Sequence, residues 1–515
     1  MRKTIQIWCV FQLCFIGDIL GSNYNSVELI SQNDTINVVA MGVDKNGYTD
    51  CTFKIQELID LLDNGGVLYF PKGNYLISHL ILRKPNIEIL GEGDKTVFLS
   101  INPQPSLHKP TIWVIENNIG LKNFKITYKS WESKEYKSFR KPRIDGNSWY
   151  GCHIATSYNE IYTFKKSRRP QTFNNQVMQI VKNLTIDNLT IVGTSLHAIY
   201  LTNCTYSTVK NCNIQQVRAT AVMGYGVGDI TIDHNYFEST IDDVVFLCAP
   251  HFALNDVYTP LKTLDMKNIR ITNNKSNKTG TKAWSASGFN GVLIDNNVCS
   301  ENRGDCIWTG EELSAGSSLG SRNVIISNNK IYNAFGGFGS LKEGYPSEKD
   351  ISLDGISFVG VFTHHGHTNK VEIINNTVTI SSKINQLNKN FYLFNIYDSK
   401  NIRIENNSFI NAKRGGVIGR QTDNRANISD VLIKNNIFEG NPDTEFLSIF
   451  RGSNNVFIEN NTFNYTGPSS GIKSFIKLWE NSSLNINNNF YNDGIEFVKG
   501  QGRFFNYKLH NNIKK

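Results

Sequence analysis

The chain has 515 residues, of which 40% are hydrophobic and 11% aromatic, a composition that excludes an intrinsically disordered protein. Its net charge of +8 at pH 7 mildly favours an acidic partner. No stretch beyond the N-terminal leader approaches the roughly 18 consecutive apolar residues of a membrane-spanning helix, so no membrane span is predicted.

Residues 1–22 have the pattern of a secretory signal peptide. Arg2 and Lys3 precede an apolar stretch that runs from Ile5 to Ile16, and small residues follow it. We therefore expect a protein that is exported to the periplasm or secreted to the extracellular space. Two of the nine cysteines lie in this leader, and the remaining seven (9 − 2) have no metal-type spacing and predict no disulfide framework.

Residues 37–98 contain a predicted helix between short predicted strands. Apolar residues fall at helical spacing, and two glycines end the helix; these residues are Ile55, Leu58, Ile59, Leu62, Gly65 and Gly66. Because a stack of repeated coils exposes an apolar end, we expect this helix to cap one.

Residues 127–180 are rich in lysine, arginine and aromatic residues and interrupt the repeats around them. A long irregular insertion on a regular scaffold is often the wall of a binding site. An ordinary solvated surface loop has the same composition, so the sequence leaves both interpretations open.

A short phrase recurs through residues 183–505, beginning with IDNLTI, VKNCNI, IDHNYF, ITNNKS and IDNNVC. Its third position, at steps of 23 (211 − 188), 23 (234 − 211), 39 (273 − 234) and 23 (296 − 273) residues, holds Asn188, Asn211, His234, Asn273 and Asn296. A period in the twenties with alternating apolar residues is typical of a solenoid of stacked coils. We expect the asparagine at this turn position to hydrogen-bond its neighbour in the next coil, forming a ladder.

The N-terminal block resembles a known family. The order GVDKNGYTDCT, helix, GGVLYFPKGNYLI and GEG is similar to the start of the pectate-lyase superfamily, which includes polygalacturonase-like glycosidases, polysaccharide lyases, epimerases and phage tailspikes. With the coils behind it, the resemblance covers residues 37–505. It implies an all-β fold, a right-handed parallel β-helix built as a single-stranded solenoid with an N-terminal capping helix. This fold hosts several chemistries, so the resemblance does not imply one reaction.

The second strand of each coil supplies the candidate site. Its first position, which strand alternation predicts to face solvent, holds His197, Thr220, Asp243, Lys282 and Asp305. The following position is small or apolar and is predicted to face inward. A second outward set is expected to be Tyr200, Met223, Phe246, Ser285 and Trp308. A register shifted by one residue would instead expose Ile199, Val222, Val245, Trp284 and Ile307.

The acidic residues of this column predict glycoside hydrolysis. Asp243 and Asp305 lie two coils apart, or about 9 to 10 Å along the axis. Inverting glycosidases separate their carboxyl groups by about 6.5 to 9.5 Å, which leaves room for the attacking water. Asp242 lies beside Asp243, and two adjacent carboxylates can raise one pKa towards that of a general acid. Asp242 or Asp243 is then the acid, and Asp305 directs the water.

The phrase IDDVVFL, which contains Asp242 and Asp243, resembles the Asp-Asp motif of polygalacturonase-like hydrolases. In that family one aspartate of the pair donates the proton. The chain departs from the family pattern because the preceding coil has Thr220 in place of an aspartate and the following coil has Lys282 in place of Gly-His-Gly. The substrate of that family is therefore not implied.

Two other functions stay open. In a polysaccharide lyase Lys282 would be the base for β-elimination, and Asp242 and Asp243 would hold Ca²⁺ through hard oxygen ligands. Apart from that case no cofactor and no metal site is predicted. The third candidate is a non-catalytic β-helix for glycan binding or adhesion.

The predicted partner is an extended polysaccharide, with an acidic one favoured by the net charge, and not a nucleic acid. Substrate contacts are predicted for aromatic and charged residues near the column and in later coils: His197, Tyr200, Phe246, Trp308, Glu311, Arg414 and Arg420. The oligomeric state is not predicted.

Overall fold

The structure is a computed structural model, and its compact unit is Thr35–Lys515. It describes residues 35–62, 65–101, 110–129, 152–156, 180–194, 196–249, 251–254, 257–260, 266–302, 305–310, 320–332, 357–362, 368–380, 392–397, 399–411, 415–419, 428–442, 445–450, 453–468, 474–479, 483–492, 495–500 and 506–514. The predicted signal at residues 1–22 lies outside these ranges.

The chain forms the predicted right-handed parallel β-helix, in which each coil pairs its strands in parallel with those of the coils before and after it. The strands make three faces. The first face, which carries the repeated phrase, contains β1 (Thr35–Asn37), β3 (Gly66–Tyr69), β6 (Ile87–Ser100), β8 (Gly120–Tyr128), β10 (Val181–Lys182), β11 (Thr185–Asp187), β13 (Ile199–Lys210), β15 (Val222–Asp233), β20 (Lys267–Thr272), β23 (Asn290–Asp295), β26 (Arg322–Ser327), β29 (Thr368–Ile374), β32 (Ser399–Glu405), β35 (Ile428–Lys434), β38 (Ser453–Glu459), β41 (Ser483–Asn487) and β44 (Asn506–His510).

The second face follows the asparagine turn of each coil. It contains β2 (Asn46–Asp50), β4 (Gly73–Ile77), β12 (Thr190–Thr194), β14 (Asn213–Val217), β16 (Tyr236–Thr240), β21 (Lys275–Thr279), β24 (Val298–Asn302), β27 (Lys330–Tyr332), β30 (Thr377–Thr379), β33 (Ser408–Ile410), β36 (Ile437–Gly440), β39 (Thr462–Tyr465), β42 (Phe490–Tyr491) and β45 (Ile513–Lys514). The long strands β6 and β8 bend round the corner and contribute to both the first and second faces.

The third face carries the candidate site. It contains the first residues of β13 and β15 together with β5 (Leu80–Leu82), β7 (Ile112–Val114), β9 (Ile154–Thr156), β17 (Val245–Cys248), β22 (Trp284–Ser287), β25 (Ile307–Gly310), β28 (Ser357–Phe362), β31 (Tyr392–Ile396), β34 (Gly416–Ile418), β37 (Leu447–Ile449), β40 (Ser474–Leu478) and β43 (Glu496–Gly500). Strands β18 (His251–Leu254) and β19 (Val257–Pro260) form a separate antiparallel hairpin.

The predicted capping helix is confirmed as α1 (Thr52–Leu61), which buries Ile55, Leu58 and Ile59. The side chain of Gln56 completes the cap, because its Oε1 accepts a hydrogen bond from the Ile81 backbone N–H at 2.9 Å and its Nε2 donates to the Ile81 carbonyl at 3.0 Å. One glutamine thus pairs a donor and an acceptor at the open edge of β5, which a first coil would otherwise leave unpaired.

The predicted bond between third-position asparagines of neighbouring coils is present on the surface, where Asn296 Nδ2 donates to Asn273 Oδ1 at 2.7 Å, and a second, buried ladder lies one residue later. The third position of the phrase has positive φ, 57° at Asn273 and 53° at Asn296, and its side chain lies on the surface. Asparagine tolerates this left-handed conformation better than most residues. The following residue turns inward and makes the buried ladder, which runs through Asn235, Asn274, Asn297, Asn329, Asn376, Asn407, Asn436, Asn461 and Asn489.

The predicted insertion at residues 127–180 contains part of the regular scaffold. Its residues Ile154–Thr156 form β9, which pairs with β7 and β13 and so supplies one coil of the third face. Residues 130–151 and 157–179 lie outside the described ranges. In the part of the chain that the structure describes, no helix has both the length and the apolar character needed to cross a membrane.

Candidate active site

The predicted column of first-position residues (His197, Thr220, Asp243, Lys282 and Asp305) lies in the turns that precede the strands of the third face. Strands β17 and β22 begin at Val245 and Trp284, two residues after Asp243 and Lys282. Strand alternation therefore does not decide where these side chains point. The expectation that the whole column faces solvent is wrong, because three of its members are only 5%, 2% and 5% exposed: His197, Thr220 and Asp243. Lys282 and Asp305 are half-buried.

The backbone stacks the acidic residues and the lysine on consecutive coils. The Val244 N–H donates to the carbonyl of Lys282 at 2.9 Å, and the Ala283 N–H donates to the carbonyl of Asp305 at 3.3 Å. Asp243 and Asp305 are therefore two coils apart, and at the usual spacing of parallel strands their backbones are separated by about 10 Å.

The carboxyl group of Asp243 is held by the next coil. Its Oδ1 accepts a hydrogen bond from the Lys282 backbone N–H at 2.8 Å and is hydrogen-bonded to Thr281 Oγ1. Thr281 Oγ1 also lies 3.0 Å from Asp242 Oδ1. One hydroxyl group thus contacts both carboxyl groups of the pair.

The pKa of the Asp243 carboxyl is raised to about 7, mainly by burial and also by the nearby Asp242 carboxylate. Lys282, the hydrogen bond from the Lys282 backbone and a Thr281 hydroxyl that donates to the ionised carboxylate act in the opposite direction, because they favour the charged form. A carboxyl group that titrates near 7 still carries its proton in slightly acidic solution, which is the property of a general acid.

A glycine permits the close approach that makes these contacts. The Gly280 N–H donates to the Thr240 carbonyl at 2.8 Å, and a Cβ atom at residue 280 would lie 1.6 Å from the carbonyl oxygen of Ile241. Any other residue would displace this turn, and with it the Thr281 hydroxyl and the Lys282 N–H that contact the aspartates.

The side chain of Lys282 lies over two aromatic rings. Its Nζ is 5.3 Å from the centre of the Phe246 ring and 4.9 Å from that of Trp308. Such cation–π contacts stabilise the protonated amine. The ammonium group therefore stands on the outer side of the third face, and its positive charge acts on the Asp243 carboxyl.

The outer side of the third face has the register of the expected outward set that begins with Tyr200. Main-chain pairing aligns Tyr200, Met223, Phe246, Ser285 and Trp308 across successive coils. The alternative set beginning with Ile199 lies in the central core. Tyr200, Met223 and Phe246 join a second apolar cluster outside that core and are 2%, 8% and 5% exposed, whereas Trp308 is half-buried.

His197 makes turn contacts. Its Nδ1 accepts a hydrogen bond from the Thr220 N–H at 3.3 Å, and its ring stacks on Tyr200 with centroids 5.6 Å apart. The structure thus gives His197 contacts to the neighbouring coil that its predicted role in substrate binding did not include.

Sequence reasoning did not single out Thr281, and it named Ser285 only as a member of the outward set. The coil alignment held a signal for Thr281, because pairing Lys282 with Asp243 places residue 281 opposite Asp242. The Ser285 hydroxyl lies between Phe246 and Trp308 in the outer column, is fully buried and has no hydrogen-bond partner among the described residues. A buried hydroxyl of that kind is available to a ligand or a water molecule.

Three predicted contact residues, Glu311, Arg414 and Arg420, lie outside the described ranges. Within those ranges, no three side chains of His, Cys, Asp or Glu come together as a metal site. The described part of the site therefore consists of Asp242, Asp243, Thr281, Lys282, Phe246 and Trp308, with Asp305 on the next coil.

Two family models match the chain. The model described as rhamnogalacturonase A/epimerase, pectate lyase-like, matches residues 35–245, and the model for a right-handed β-helix region matches residues 144–382. No curated protein matches.

Solved structures resemble the chain at low sequence identity. Pre-mature gene product 12 of bacteriophage phi29 is 13% identical with a TM-score of 0.59, and the match covers 90% of this chain but only 56% of that protein. The A-module of mannuronan C-5 epimerase AlgE6 from Azotobacter vinelandii is 13% identical with a TM-score of 0.42, covering 93% of this chain and 99% of the module. An exopolygalacturonase from Thermotoga maritima is 13% identical with a TM-score of 0.39, covering 94% of this chain and 92% of the enzyme. The likeness to the phage protein shows the shared fold.

Proposed function

As the chain is a right-handed parallel β-helix protein of the pectate lyase-like superfamily, we propose that it hydrolyses glycosidic bonds of an extended polysaccharide. The observation that carries this proposal is the buried Asp243 carboxyl, whose pKa of about 7 suits a group that delivers a proton near neutral pH. The predicted signal at residues 1–22 would export the enzyme to where such polymers are found.

In this mechanism Asp243 donates its proton to the glycosidic oxygen as the bond to the leaving sugar breaks. Asp305, two coils along, accepts a proton from a water molecule that attacks the opposite side of the sugar ring. The separation of about 10 Å between their backbones leaves room for that water and supports inversion at the anomeric carbon.

Lys282 has two roles in the proposed reaction. Its ammonium group stabilises the Asp243 carboxylate that remains after proton transfer, and it attracts the carboxylate of an acidic sugar. Trp308, half-buried in the outer column, offers an aromatic face to a sugar ring. The rings around the Lys282 ammonium favour its charged form, which argues against Lys282 as the base of an elimination.

The test is a panel of acidic and neutral polysaccharides, in which released reducing ends and ultraviolet absorbance are measured together. We expect reducing ends without absorbance from the wild type, and a kcat lower by about 100- to 10,000-fold in Asp243→Asn, the usual range for loss of a general acid. Asp187→Asn is the matched control, because Asp187 lies on the first face, where it pairs with Lys210.

Each alternative has its own result. Products that absorb in the ultraviolet, with activity that a chelator removes, would establish a lyase that uses Ca²⁺. A protein that binds a polysaccharide, releases nothing and is unaffected by Asp243→Asn would be a non-catalytic glycan-binding β-helix. Either result overturns the hydrolase proposal.

A further inference from the structure

Thr281 places one hydroxyl group between two carboxyl groups that belong to the preceding coil. We propose that this hydroxyl is a proton bridge, through which Asp242 and Asp243 share a single proton that lies mainly on Asp243. Its role in the reaction rests on the proposed function, whereas the bridge itself can be tested without any substrate.

The hydrogen-bond capacity of the three groups leads to this arrangement. Thr281 Oγ1 is within hydrogen-bond reach of Oδ1 of both aspartates, but a hydroxyl group has one proton and can donate to only one of them. A second proton, carried by one carboxyl group, makes both contacts favourable. That carboxyl donates to Thr281 Oγ1, and the Thr281 hydroxyl donates to the other carboxylate.

Burial decides which carboxyl group holds the proton. Asp243 is 5% exposed, whereas Asp242 is half-buried, so the charged form is costlier on Asp243. The other charged groups nearby are Lys282 on the next coil and Asp305 one coil beyond, and the preceding coil contributes the neutral Thr220. Asp243 Oδ1 keeps a lone pair for the Lys282 N–H when it is protonated.

The bridge gives a route for reloading the acid. After Asp243 has given its proton to the leaving sugar, Asp242 takes a proton from solvent and passes it to Thr281 Oγ1, while the Thr281 hydroxyl proton passes to Asp243. Each proton moves across one hydrogen bond, Asp242 ends as the carboxylate and Asp243 ends protonated. Thr281 is a positioning and relay residue in this scheme, and it does not touch the substrate.

Infrared titration of the protein without substrate tests the bridge, because the carbonyl stretch of a protonated carboxyl group is distinct and Asp243→Asn identifies the band. Two ionised aspartates can accept only one bond from Thr281, whereas the pair with one proton makes two bonds. Removing the hydroxyl in Thr281→Val therefore takes more stabilisation from the protonated pair. We expect the titration midpoint of the aspartate pair to be lower by about one pH unit in Thr281→Val than in the wild type.

Thr281→Ser keeps the hydroxyl and should titrate as the wild type does. A midpoint in Thr281→Val that is unchanged or higher overturns the bridge, because a hydroxyl that only donates to the ionised Asp243 would lower its pKa and its loss would raise it. Circular dichroism checks the fold, and if the valine variant does not fold, Thr281→Ala removes the same hydroxyl and carries the same expectation.

The titration also separates this inference from the proposed function. A downward shift in a protein that cleaves no polysaccharide would support the bridge and reject the hydrolase. Cleavage that Asp243→Asn abolishes, together with an unshifted midpoint in Thr281→Val, would support the hydrolase and reject the bridge.

Discussion

Asp243 combines two properties that an ordinary turn aspartate lacks. Its side chain satisfies the backbone N–H of Lys282 in the next coil, and its burial keeps the carboxyl neutral at mildly acidic pH. The hydrogen bond stabilises the turn, and burial keeps a proton on the Asp243 carboxyl beside the outer face of the β-helix. The same burial makes the ionised form costly, so Asp243 should couple the stability of the protein to pH.

We predict that Asp243→Asn changes this coupling. The pKa of Asp243 is about 7 in the folded protein against an ordinary value of 3.8, so the folded state binds more protons between these values. Its contribution to stability is therefore fully present below pH 3.8 and is lost as the pH rises to about 7. Relative to the wild type, the asparagine variant should gain at most about 4 kcal/mol over this range, at 1.36 kcal/mol per pKa unit.

Denaturant unfolding of both proteins across this pH range measures the effect. The variant cannot ionise at residue 243, and its amide oxygen can still accept the Lys282 N–H bond. Wild-type and variant curves that stay parallel from pH 4 to pH 7 would show that burial does not hold the Asp243 carboxyl neutral.

At the scale of the coil, two consecutive asparagines have different roles in the turn. The exposed one takes the left-handed backbone conformation, as Asn375 does with φ of 57°. The buried one, Asn376, donates from its Nδ2 to Asn407 Oδ1 at 2.9 Å and to the Ile326 carbonyl at 2.9 Å, and its Oδ1 accepts from the Asn329 N–H at 2.9 Å. Each ladder asparagine thus forms hydrogen bonds with backbone groups of the preceding coil.

We predict that Asn376→Ala destabilises the β-helix by a few kcal/mol. The change leaves the Asn329 N–H and the Ile326 carbonyl buried without partners, and each such group costs about 1 to 3 kcal/mol. Urea unfolding measures the loss. The control is Asn375→Gly, one residue away, which should cost little because glycine adopts positive φ readily. Equal losses in the two variants would show that the inner ladder contributes no more than the exposed turn.

Across the whole molecule, the parallel stack turns residues far apart in sequence into neighbours on one line. The pair Asp243 and Thr281 is 38 residues apart along the chain, and the same face continues over many further coils. A face of this length suits an extended polymer, and the net charge of +8 suits a polymer that carries negative charge.

We predict that added salt weakens the proposed cleavage of acidic polysaccharides. Raising the ionic strength from about 0.1 to about 1 M shortens the Debye length from about 10 to about 3 Å and screens the attraction. The KM for an acidic polymer should rise several-fold while kcat changes less, and initial rates at varied substrate concentration measure both. A neutral polymer of similar length is the control, and a KM that is insensitive to salt would remove charge attraction from the account of substrate binding.

The sequence by itself determined three features: the solenoid, the capping helix and which coils lie next to one another. The repeated phrase predicts the solenoid, apolar residues at helical spacing predict the helix, and the number of residues between phrases predicts which coils are neighbours. Each prediction needs only a short window of sequence. The sequence favoured the outward set from Tyr200 to Trp308 but left a register shifted by one residue open, and the burial of that alternative set in the core decided between them.

Only the tertiary structure decided what happens in the turns. There the direction of a side chain depends on backbone groups of the neighbouring coil, which is why the sequence predicted neither the second, buried ladder nor the burial of Asp243. The hydroxyl bridge of Thr281 and the stacking of Lys282 on Phe246 and Trp308 join three coils. The free energy of such contacts belongs to pairs of coils, so no single repeat of the sequence contains it.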